Sequence, residues 1–255
     1  MQASAKTLLG LVEGVGSRDE LSLAMSEVTK ALGFQYFALT HHVDLLKVGG
    51  GAIRLHNYPG QWADHYDRQA LSLSDPVHRA SHVTAIGFQW AQIPFLIPLS
   101  RGDRVILAQG QNQGIGDGYT VPVNVPGEAC GSCSFANDLG RPLPLDDLPF
   151  AQLVGAVAFE KARRLWLPRG VIDQIRRPVL TDRQRDCLLW AARGKTDWEI
   201  SRILGISEET VARHIRMACD KYGVNKRLSV IVYAMTDGTI TLSDIGFSFH
   251  TPFPE

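Results

Sequence analysis

The chain has 255 residues, which is long enough for one large domain or for two ordinary domains with separate cores. Hydrophobic residues make up 45% of it and charged residues 20%, a globular composition that excludes disordered and fibrous proteins. Basic and acidic residues are balanced at 26 each, so the net charge indicates neither a nucleic acid nor a membrane as partner. The sequence shows no signal peptide, no run of about 18 apolar residues and no dense cysteine framework, and we expect a cytoplasmic protein.

The first part of the chain predicts a helix followed by two strands. Apolar residues recur at helical spacing through residues 1–33. The aromatic-rich, alternating segment 34–43 predicts a strand. A glycine turn at 49–51 then leads to a second predicted strand at 52–56.

Helical and β-type segments alternate in the middle of the chain. Residues 60–82 predict helix, interrupted at Asp75-Pro76 because the residue before a proline is disfavoured in the helical conformation. Three short β-type runs follow between Gly- and Pro-containing turns, at residues 93–99, 118–125 and 128–136. A helix is predicted over 146–166, and its expected buried face carries Leu153, Val157 and Leu165. These patterns predict an α+β protein in which residues 1–167 form an α/β/α sandwich around one mostly antiparallel sheet.

The C-terminal part predicts a separate all-α domain of four helices over residues 179–240. Pro168, Gly170 and Pro178 bracket a basic stretch that we interpret as a linker over 168–178. The first two helices begin at capping-box sequences, the third begins at an N-cap serine and runs to a glycine, and the fourth covers about 227–235. The capping residues are Thr181 with Gln184, Thr196 with Glu199, and Ser207.

Residues 198–222 have the helix, three-residue turn and longer helix of a helix-turn-helix, whose second helix can enter the major groove. The apolar face of that helix carries Val211, Ile215, Ala218 and Cys219. Arg213 and Arg216 project elsewhere, towards guanine edges or phosphates. Helix pairs with this spacing also occur in ordinary bundles, so the pattern alone leaves DNA binding open.

This segment closely resembles the LuxR-type helix-turn-helix. The matching residues include Leu180 to Gln184, Cys187-Leu188, Gly194 to Thr196, Glu199-Ile200, Ile206 to Glu208, Thr210-Val211, His214-Ile215 and Lys221. Gln184 departs from the family, which usually has glutamate there; glutamine keeps the capping role but lacks the charge. Together with the helix geometry, the resemblance predicts DNA contacts from Lys195, Thr196, Ser207, Thr210, Ala212, Arg213, His214, Arg216 and Lys221.

The N-terminal part lacks the acidic cluster and lysine of a phosphorylation receiver. Instead, its residues at key spacings resemble the acyl-homoserine-lactone-binding domain of quorum-sensing LuxR-type regulators. Those residues are Tyr58, Trp62, Tyr66, Asp75-Pro76, Trp90, Gly118 and Pro122. The resemblance implies that the chain binds an N-acyl- or N-aryl-homoserine lactone as an autoinducer and then binds a pseudo-palindromic DNA site as a homodimer.

The implied ligand contacts follow the polarity of each group. The indole N–H of Trp62 is a donor suited to the lactone carbonyl, and the Asp75 carboxylate accepts the amide N–H. Tyr58 and Ser134 have hydroxyls that can donate to the amide carbonyl. Tyr66 and Trp90 wall the pocket. The register of Ser134 is open, because Ser132 and Cys133 lie beside it.

Each of these residues also has a purely structural interpretation. Trp62 and Tyr66 lie one helical turn apart and can be core aromatics, and Asp75 before Pro76 can simply cap a helix. The spacing of the whole set favours ligand binding. Two further readings of the protein stay open: a regulator answering a different small molecule, and a DNA-binding dimer that needs no ligand.

Sites of other kinds are weaker. Cys130-x-x-Cys133 has no second ligand pair for a metal, and His78 with His82 has no third ligand, so exposed helix polarity is our interpretation of these histidines. We therefore predict no enzyme activity, no metal and no cofactor. Double-stranded DNA, the autoinducer, a second copy of the chain and RNA polymerase are the predicted partners.

The last predictions concern the surfaces of the dimer and the segment at the end of the chain. By analogy with the family, the helix at 149–166 and the fourth C-terminal helix are the dimer surfaces. Residues 241–255 extend past the expected domain with Phe247, Phe249 and Phe253, and either dock on the sensor domain or form a disordered tail.

Overall fold

In the computed structural model, the described residues are 5–43, 51–126, 128–166 and 178–246. Contacts divide the chain into two compact units, of which the first holds the elements up to Trp166 and the second those from Asp182 onwards. The predicted linker at 168–178 lies almost entirely outside the described residues, so the domain boundaries stay predictions. Of the helices that the structure describes, none combines the length and apolarity needed to cross a membrane.

The first unit is built on a five-stranded sheet with the spatial order β2-β1-β5-β4-β3. All pairings are antiparallel. The strands are β1 (Tyr36–His41), β2 (Arg54–His56), β3 (Phe88–Gln89), β4 (Ile115–Val123) and β5 (Gly131–Asp138). The strands predicted near residues 34, 52, 118 and 128 are therefore confirmed with shifted ends, whereas the short β3 was not predicted.

Helices cover both faces of this sheet, which confirms the predicted α/β/α sandwich. They are α1 (Ala5–Glu13), α2 (Arg18–Ala31), α3 (Gly60–Arg68), α4 (Pro76–Ser81), α5 (Ile93–Leu96), α6 (Arg101–Asn112) and α7 (Leu148–Trp166). The main hydrophobic core lies between the sheet and α1, α2 and α7. Helices α3, α4 and α6 lie over the opposite face, where smaller apolar clusters form.

Two predicted elements in this unit are wrong. The single helix expected over residues 1–33 is broken before Ser17, whose hydroxyl accepts a hydrogen bond from the Glu20 amide and so begins α2. The strand expected at 93–99 is instead the short helix α5, with a proline in its first turn. Helix α6 was not predicted, although the capping box formed by Ser100 and Asp103 marks its start.

The buried face of α7 also differs from the expectation. Leu153 is 46% exposed, and Val157 and Leu165 are only partly buried at the edge of the core. The residues that face the sheet are mostly small, namely Ala151, Val154, Gly155, Ala158, Phe159 and Ala162. A Cβ atom at Gly155 would lie 2.9 Å from Cγ2 of Val121, so glycine is needed for the helix to approach the sheet this closely.

The second unit consists of α8 (Asp182–Ala192), α9 (Asp197–Leu204), α10 (Glu208–Lys221) and α11 (Arg227–Thr236). Both predicted capping boxes and the serine N-cap are confirmed. Gly205 ends α9 in the left-handed conformation, with φ of 66°, which glycine adopts without steric cost. The predicted apolar face of α10 is buried against the other helices.

Residues 237–246 follow α11 and pack against the helices of the second unit. Ile240 is fully buried in the helical core, and Ile245 packs against it. Arg185 on α8 forms an ion pair with Asp244, with 3.0 Å between Nη2 and Oδ2. The beginning of the C-terminal extension therefore packs on the helices of the second unit, while Phe247, Phe249 and Phe253 lie outside the described residues.

Three histidines join α4 to the sheet in the first unit. His42 stacks on His78 with 3.9 Å between ring centroids, and its Nδ1 lies 3.0 Å from Nε2 of His82. Its Nε2 lies 2.9 Å from the Ser132 hydroxyl. Because His78 is 8% exposed, the interpretation of this residue as exposed helix polarity is wrong. Burial, followed by the neighbouring histidines His78, His82 and His41, lowers the pKa of His42 far below its usual value.

This burial predicts acid sensitivity. A histidine in the unfolded chain has a pKa near 6.5, whereas folded His42 stays neutral, so the unfolded state binds more protons below about pH 6.5. Stability present at pH 7 should fall as the pH drops from about 6.5 to 5, by up to about 1.4 kcal/mol per pH unit for this residue. Urea unfolding at a series of pH values measures how the free energy of unfolding changes with pH in the parent and in His42→Gln. This dependence should be weaker in the variant. Replacing His65, outside the cluster, with glutamine is the control; parallel profiles for parent and His42→Gln would contradict the assignment.

Candidate ligand cavity and DNA-binding surface

A cavity of about 580 Å³ lies in the first unit between the sheet and helices α3, α4 and α6. This volume is in the range of pockets that bind small organic ligands. All six predicted ligand-binding residues line it, namely Tyr58, Trp62, Tyr66, Asp75, Trp90 and Ser134. Residues from five separate parts of the sequence are thereby brought to one site; whether they bind a ligand stays a prediction.

Asp75 is the buried acid of the cavity and is 9% exposed. Its Oδ1 accepts from the amide of Val77 at 2.8 Å, which caps α4, and its Oδ2 accepts from the hydroxyl of Tyr66 at 2.6 Å. Asp75 therefore caps α4, as one interpretation of the sequence expected. A carboxylate has about four lone-pair sites, so two bonds leave capacity for a further donor from the cavity.

The aromatic residues form one wall around this acid. Trp62 packs edge-on against Tyr66 with 5.6 Å between ring centroids, and its indole N–H has no hydrogen-bond partner in the described part of the chain. Burial, followed by the charge of Asp75, raises the pKa of both Tyr58 and Tyr66 above its usual value. Both phenols therefore remain protonated and can act as hydrogen-bond donors.

A series of hydrogen bonds runs from Trp90 over β4 to β5 on the cavity face of the sheet. The indole N–H of Trp90 donates to the hydroxyl of Thr120 at 2.8 Å, and this hydroxyl lies 2.8 Å from that of Ser134. Thr120 was not predicted, although it lies two residues from Gly118 on the same face of β4. A Cβ atom at Gly118 would lie 2.5 Å from the Trp90 ring, so this glycine makes room for the indole.

The strand register decides which serine of β5 faces the cavity. Ser134 pairs with Ala38 of β1 and with Thr120 of β4, and it lines the cavity. Cys133 points to the opposite face and is fully buried in the main core. Ser132 faces the same side as Ser134 but comes two residues earlier on β5, where it contacts His42.

Several cavity residues were not predicted, because those on strands are marked only by strand alternation and His78 was interpreted as exposed helix polarity. They are Thr40 on β1, Arg54 and His56 on β2, and His78 on α4. Arg54 is held by Asp67, with 2.6 Å between Nη2 and Oδ1, and its guanidinium lies 5.6 Å from the centroid of the Tyr66 ring. Nδ1 of His56 is buried without a hydrogen-bond partner among the described residues.

In the second unit, α9, the turn at Gly205 and α10 form the predicted helix-turn-helix. Ser207 begins α10 by accepting a hydrogen bond from the Thr210 amide at 3.1 Å. Ala212, Arg213 and Arg216 lie outside the buried face of α10, and both arginines are exposed. Neither guanidinium has an ion pair or hydrogen bond within the described residues, so both are available to an anionic partner.

The other predicted DNA-binding residues have protein contacts of their own. Lys195 pairs with Glu199, with 2.9 Å between Nζ and Oε1, next to the Thr196 N-cap of α9. Nζ of Lys221 donates to the carbonyl oxygen of Val179 at 2.6 Å and to Gln184 Oε1 at 2.8 Å. One of the three ammonium donors of Lys221 remains. Nδ1 of His214 is buried without a partner in the described part of the chain.

Two family models match the chain, each covering one of the units. The autoinducer binding domain matches residues 17–162, and the luxR family of bacterial regulatory proteins matches residues 178–234. Among curated relatives, the quorum sensing-dependent transcriptional regulator RpaR of Rhodopseudomonas palustris is 32% identical, over 72% of this chain and 74% of its own length. The transcriptional activator VanR of Vibrio anguillarum is 26% identical over 89% of this chain and 93% of its own length.

Solved structures show the same fold. The chain is similar to Escherichia coli SdiA, with a TM-score of 0.61 and 23% identity, over 93% of this chain and 98% of that chain. A structure of SdiA in complex with octanoyl-rac-glycerol has a TM-score of 0.62 at 23% identity, over 93% of this chain and 97% of that chain. The relatives are transcription regulators and not enzymes. The chain therefore belongs to the LuxR family of bacterial transcription regulators, with an autoinducer-binding domain followed by a LuxR-type helix-turn-helix.

Proposed function

We propose that the first unit binds an N-acyl- or N-aryl-homoserine lactone and that the liganded protein binds a pseudo-palindromic promoter site as a homodimer. The observation that carries the ligand assignment is the convergence of matched polar groups on one cavity. Such a ligand has two carbonyls and one amide N–H. The cavity offers donors from Trp62, Tyr58 and Ser134 and one buried acceptor, the Asp75 carboxylate.

Each ligand group has a partner of the right kind. The lactone carbonyl accepts from the free indole N–H of Trp62, and the amide N–H donates to Asp75. The hydroxyl of Tyr58 donates to the amide carbonyl. Binding of the amide carbonyl to Ser134 also sets the direction of the hydrogen bonds that join Trp90, Thr120 and Ser134. Thr120 accepts from Trp90 and donates to Ser134, so the hydroxyl hydrogen of Ser134 is left to bind the ligand.

The second unit supplies the DNA contacts. Helix α10 enters the major groove, where Arg213 and Arg216 bind guanine edges or phosphates, with Ala212 and His214 beside them. Lys195, Thr196, Ser207 and Thr210 lie at the starts of α9 and α10, so their donors and the helix N-termini face the phosphate backbone. Lys221 contributes its remaining donor.

Two helices provide apolar surface for a dimer. On α11, Leu228 is 71% exposed and Val232, one turn further, is 52% exposed. On α7, Phe150 and Leu153 are exposed at 42% and 46%. Covering such side chains with a second copy removes apolar area from water, and two-fold symmetry matches two half-sites in DNA.

The ligand acts by completing the cavity core. Because a bound ligand adds contacts across the cavity, we expect the first unit to be less stable and to dimerise poorly when no ligand is bound. Relatives such as VanR are named transcriptional activators, which supports binding to promoters. We further propose that the protein is cytoplasmic and contacts RNA polymerase. If no lactone changes the melting temperature of protein that still binds DNA, a ligand-independent dimer would be supported instead.

The first test replaces Asp75 with asparagine. Asparagine keeps the helix cap but removes the charged acceptor, and we expect the dissociation constant for the best lactone to rise by about 10- to 100-fold. Thermal melts against lactone concentration measure this, since ligand at about a hundred times its dissociation constant adds roughly 2.7 kcal/mol of stability. Asp117→Asn, at another cavity-lining carboxylate, is the matched control. An unchanged response of Asp75→Asn would remove the amide contact from the proposal.

The second test concerns the recognition helix. Arg216→Ala should weaken binding to a DNA site selected from a random pool by about 10-fold or more, because one good side-chain contact to a base contributes roughly 1–3 kcal/mol. Gel-shift titration at fixed salt measures the loss. Arg183→Ala, at an exposed arginine of α8, is the control. If Arg216→Ala binds as tightly as the parent, the orientation assigned to α10 is wrong.

The third test concerns the dimer. Leu228→Glu places a charge in the proposed α11 interface, so dimers should dissociate at a protein concentration at least about tenfold higher, because burial of an unpaired charge is unfavourable. Sedimentation equilibrium measures this in the presence of ligand. The control is Leu242→Glu, which changes an apolar side chain that is 41% exposed outside α11. Equal dimer stability in both variants would exclude α11 as the interface.

A further inference from the structure

The cavity floor is formed where β1 lies between β2 and β5. The register places Ala38 beside His56 and Ser134, and Thr40 beside Arg54 and Ser132. Alternate residues of a strand face the same side, so these residues form two rows across the cavity face of the sheet. The second row lies two residues along the strands from the first, a separation of roughly 6.6 Å.

The assigned polar contacts set the direction of the acyl group. Trp62, which takes the lactone, lies beside α6, where a Cβ atom at Gly110 would be 3.8 Å from its ring. Asp75, which takes the amide, is the N-cap of α4, and His78 lies in the first turn of that helix. From the amide, the acyl group therefore extends away from Trp62, over Ala38 and towards Thr40 and His78.

This end of the cavity is polar, and the Thr40 hydroxyl and Nε2 of His78 lack hydrogen-bond partners among the described residues. Thr40 is 7% exposed, and its hydroxyl has no hydrogen-bond partner in the described ranges of the chain. Arg54, in the same row, is already neutralised by Asp67. A saturated chain lying here would cover the Thr40 hydroxyl without replacing the hydrogen bonds it makes to water.

His78 adds an acceptor at the same end. Its Nδ1 lies 2.9 Å from the carbonyl oxygen of Ser72, which can only accept, so Nδ1 carries the proton. In the uncharged ring, Nε2 is then an acceptor, and it has no partner among the residues that the structure describes. Stacking on His42 at 3.9 Å holds the ring in place.

One ligand group satisfies both residues. A hydroxyl can accept a hydrogen bond from Thr40 and donate one to Nε2 of His78. We infer that the acyl part of the ligand carries a hydroxyl roughly 6–7 Å beyond its amide carbonyl, the spacing between the two rows, where Thr40 and His78 bind it. A phenol at the end of an aromatic acyl group and a terminal hydroxyl on a short alkyl chain both have this chemistry. The inference rests on the proposed function, because the lactone contacts set the orientation.

The experiment compares matched pairs of homoserine lactones by thermal melt and isothermal titration with the full chain. One pair is 4-hydroxybenzoyl against benzoyl, and the other is 6-hydroxyhexanoyl against hexanoyl. We expect the hydroxylated member of at least one pair to bind about tenfold more tightly or better, since a hydrogen bond that satisfies buried groups has this effect. If the unhydroxylated member binds equally or better in both pairs, the inference is overturned while the lactone site stands. If no lactone binds, the proposed function itself fails.

A variant links the preference to the residue. Thr40→Val keeps the side-chain shape but removes the hydroxyl, so the preference for the hydroxylated ligand should fall several-fold while binding of the unhydroxylated member is kept or improved. Thr29→Val, at a fully buried threonine on α2 across the sheet from the cavity, is the matched control. An unchanged preference in Thr40→Val would remove Thr40 from the contact.

Discussion

The pairing of β1 with β5 is the constraint on which both faces of the first unit depend. The register runs from Tyr36 opposite Ala136 to His41 opposite Gly131. On one face it buries Phe37 and Phe135 completely in the main core. A slip of one residue would put these phenylalanines into the cavity and the polar cavity residues into the core. The hydrophobic packing on the core face of the sheet therefore fixes the hydroxyl of Ser134 on the cavity face.

The cavity residues that are proposed to contact the ligand also have structural roles. Asp75 caps α4 and binds Tyr66, so the acid that is proposed to take the ligand amide is already held rigidly by the fold. Trp90 likewise reaches across to β4 through Thr120. Such preorganisation limits the entropy lost on binding. This gain is offset by Nδ1 of His56, which is buried without a hydrogen-bond partner among the described residues and destabilises the unliganded unit until a ligand or water bonds to it.

The second unit separates its structural charges from those that are available to DNA. Arg227 on α11 bonds to Asp197 at the start of α9 and to the carbonyl oxygen of Lys195 just before it, which ties α11 to the start of α9. Glu199 closes the capping box and pairs with Lys195. These charges are satisfied within the protein, whereas Arg213 and Arg216 have no ion pair among the residues that the structure describes. The exposed arginines can therefore change partner on binding DNA without breaking an internal ion pair.

The sequence by itself determined what depends on local chemistry. The caps at Thr181, Thr196 and Ser207 and the apolar face of α10 follow from side chains a few residues apart, because a helix closes its bonds within one turn. The family resemblance brought the six ligand-site residues together as a set. Tertiary structure alone decided that Ser134 lines the cavity whereas Ser132, on the same face of β5, contacts His42, since strand register depends on partners about a hundred residues away in sequence. It also decided the helical state of 93–96, the exposure of Leu153 and the polar end formed by Thr40 and His78. These depend on which surfaces pack together, and single-residue patterns do not carry that information.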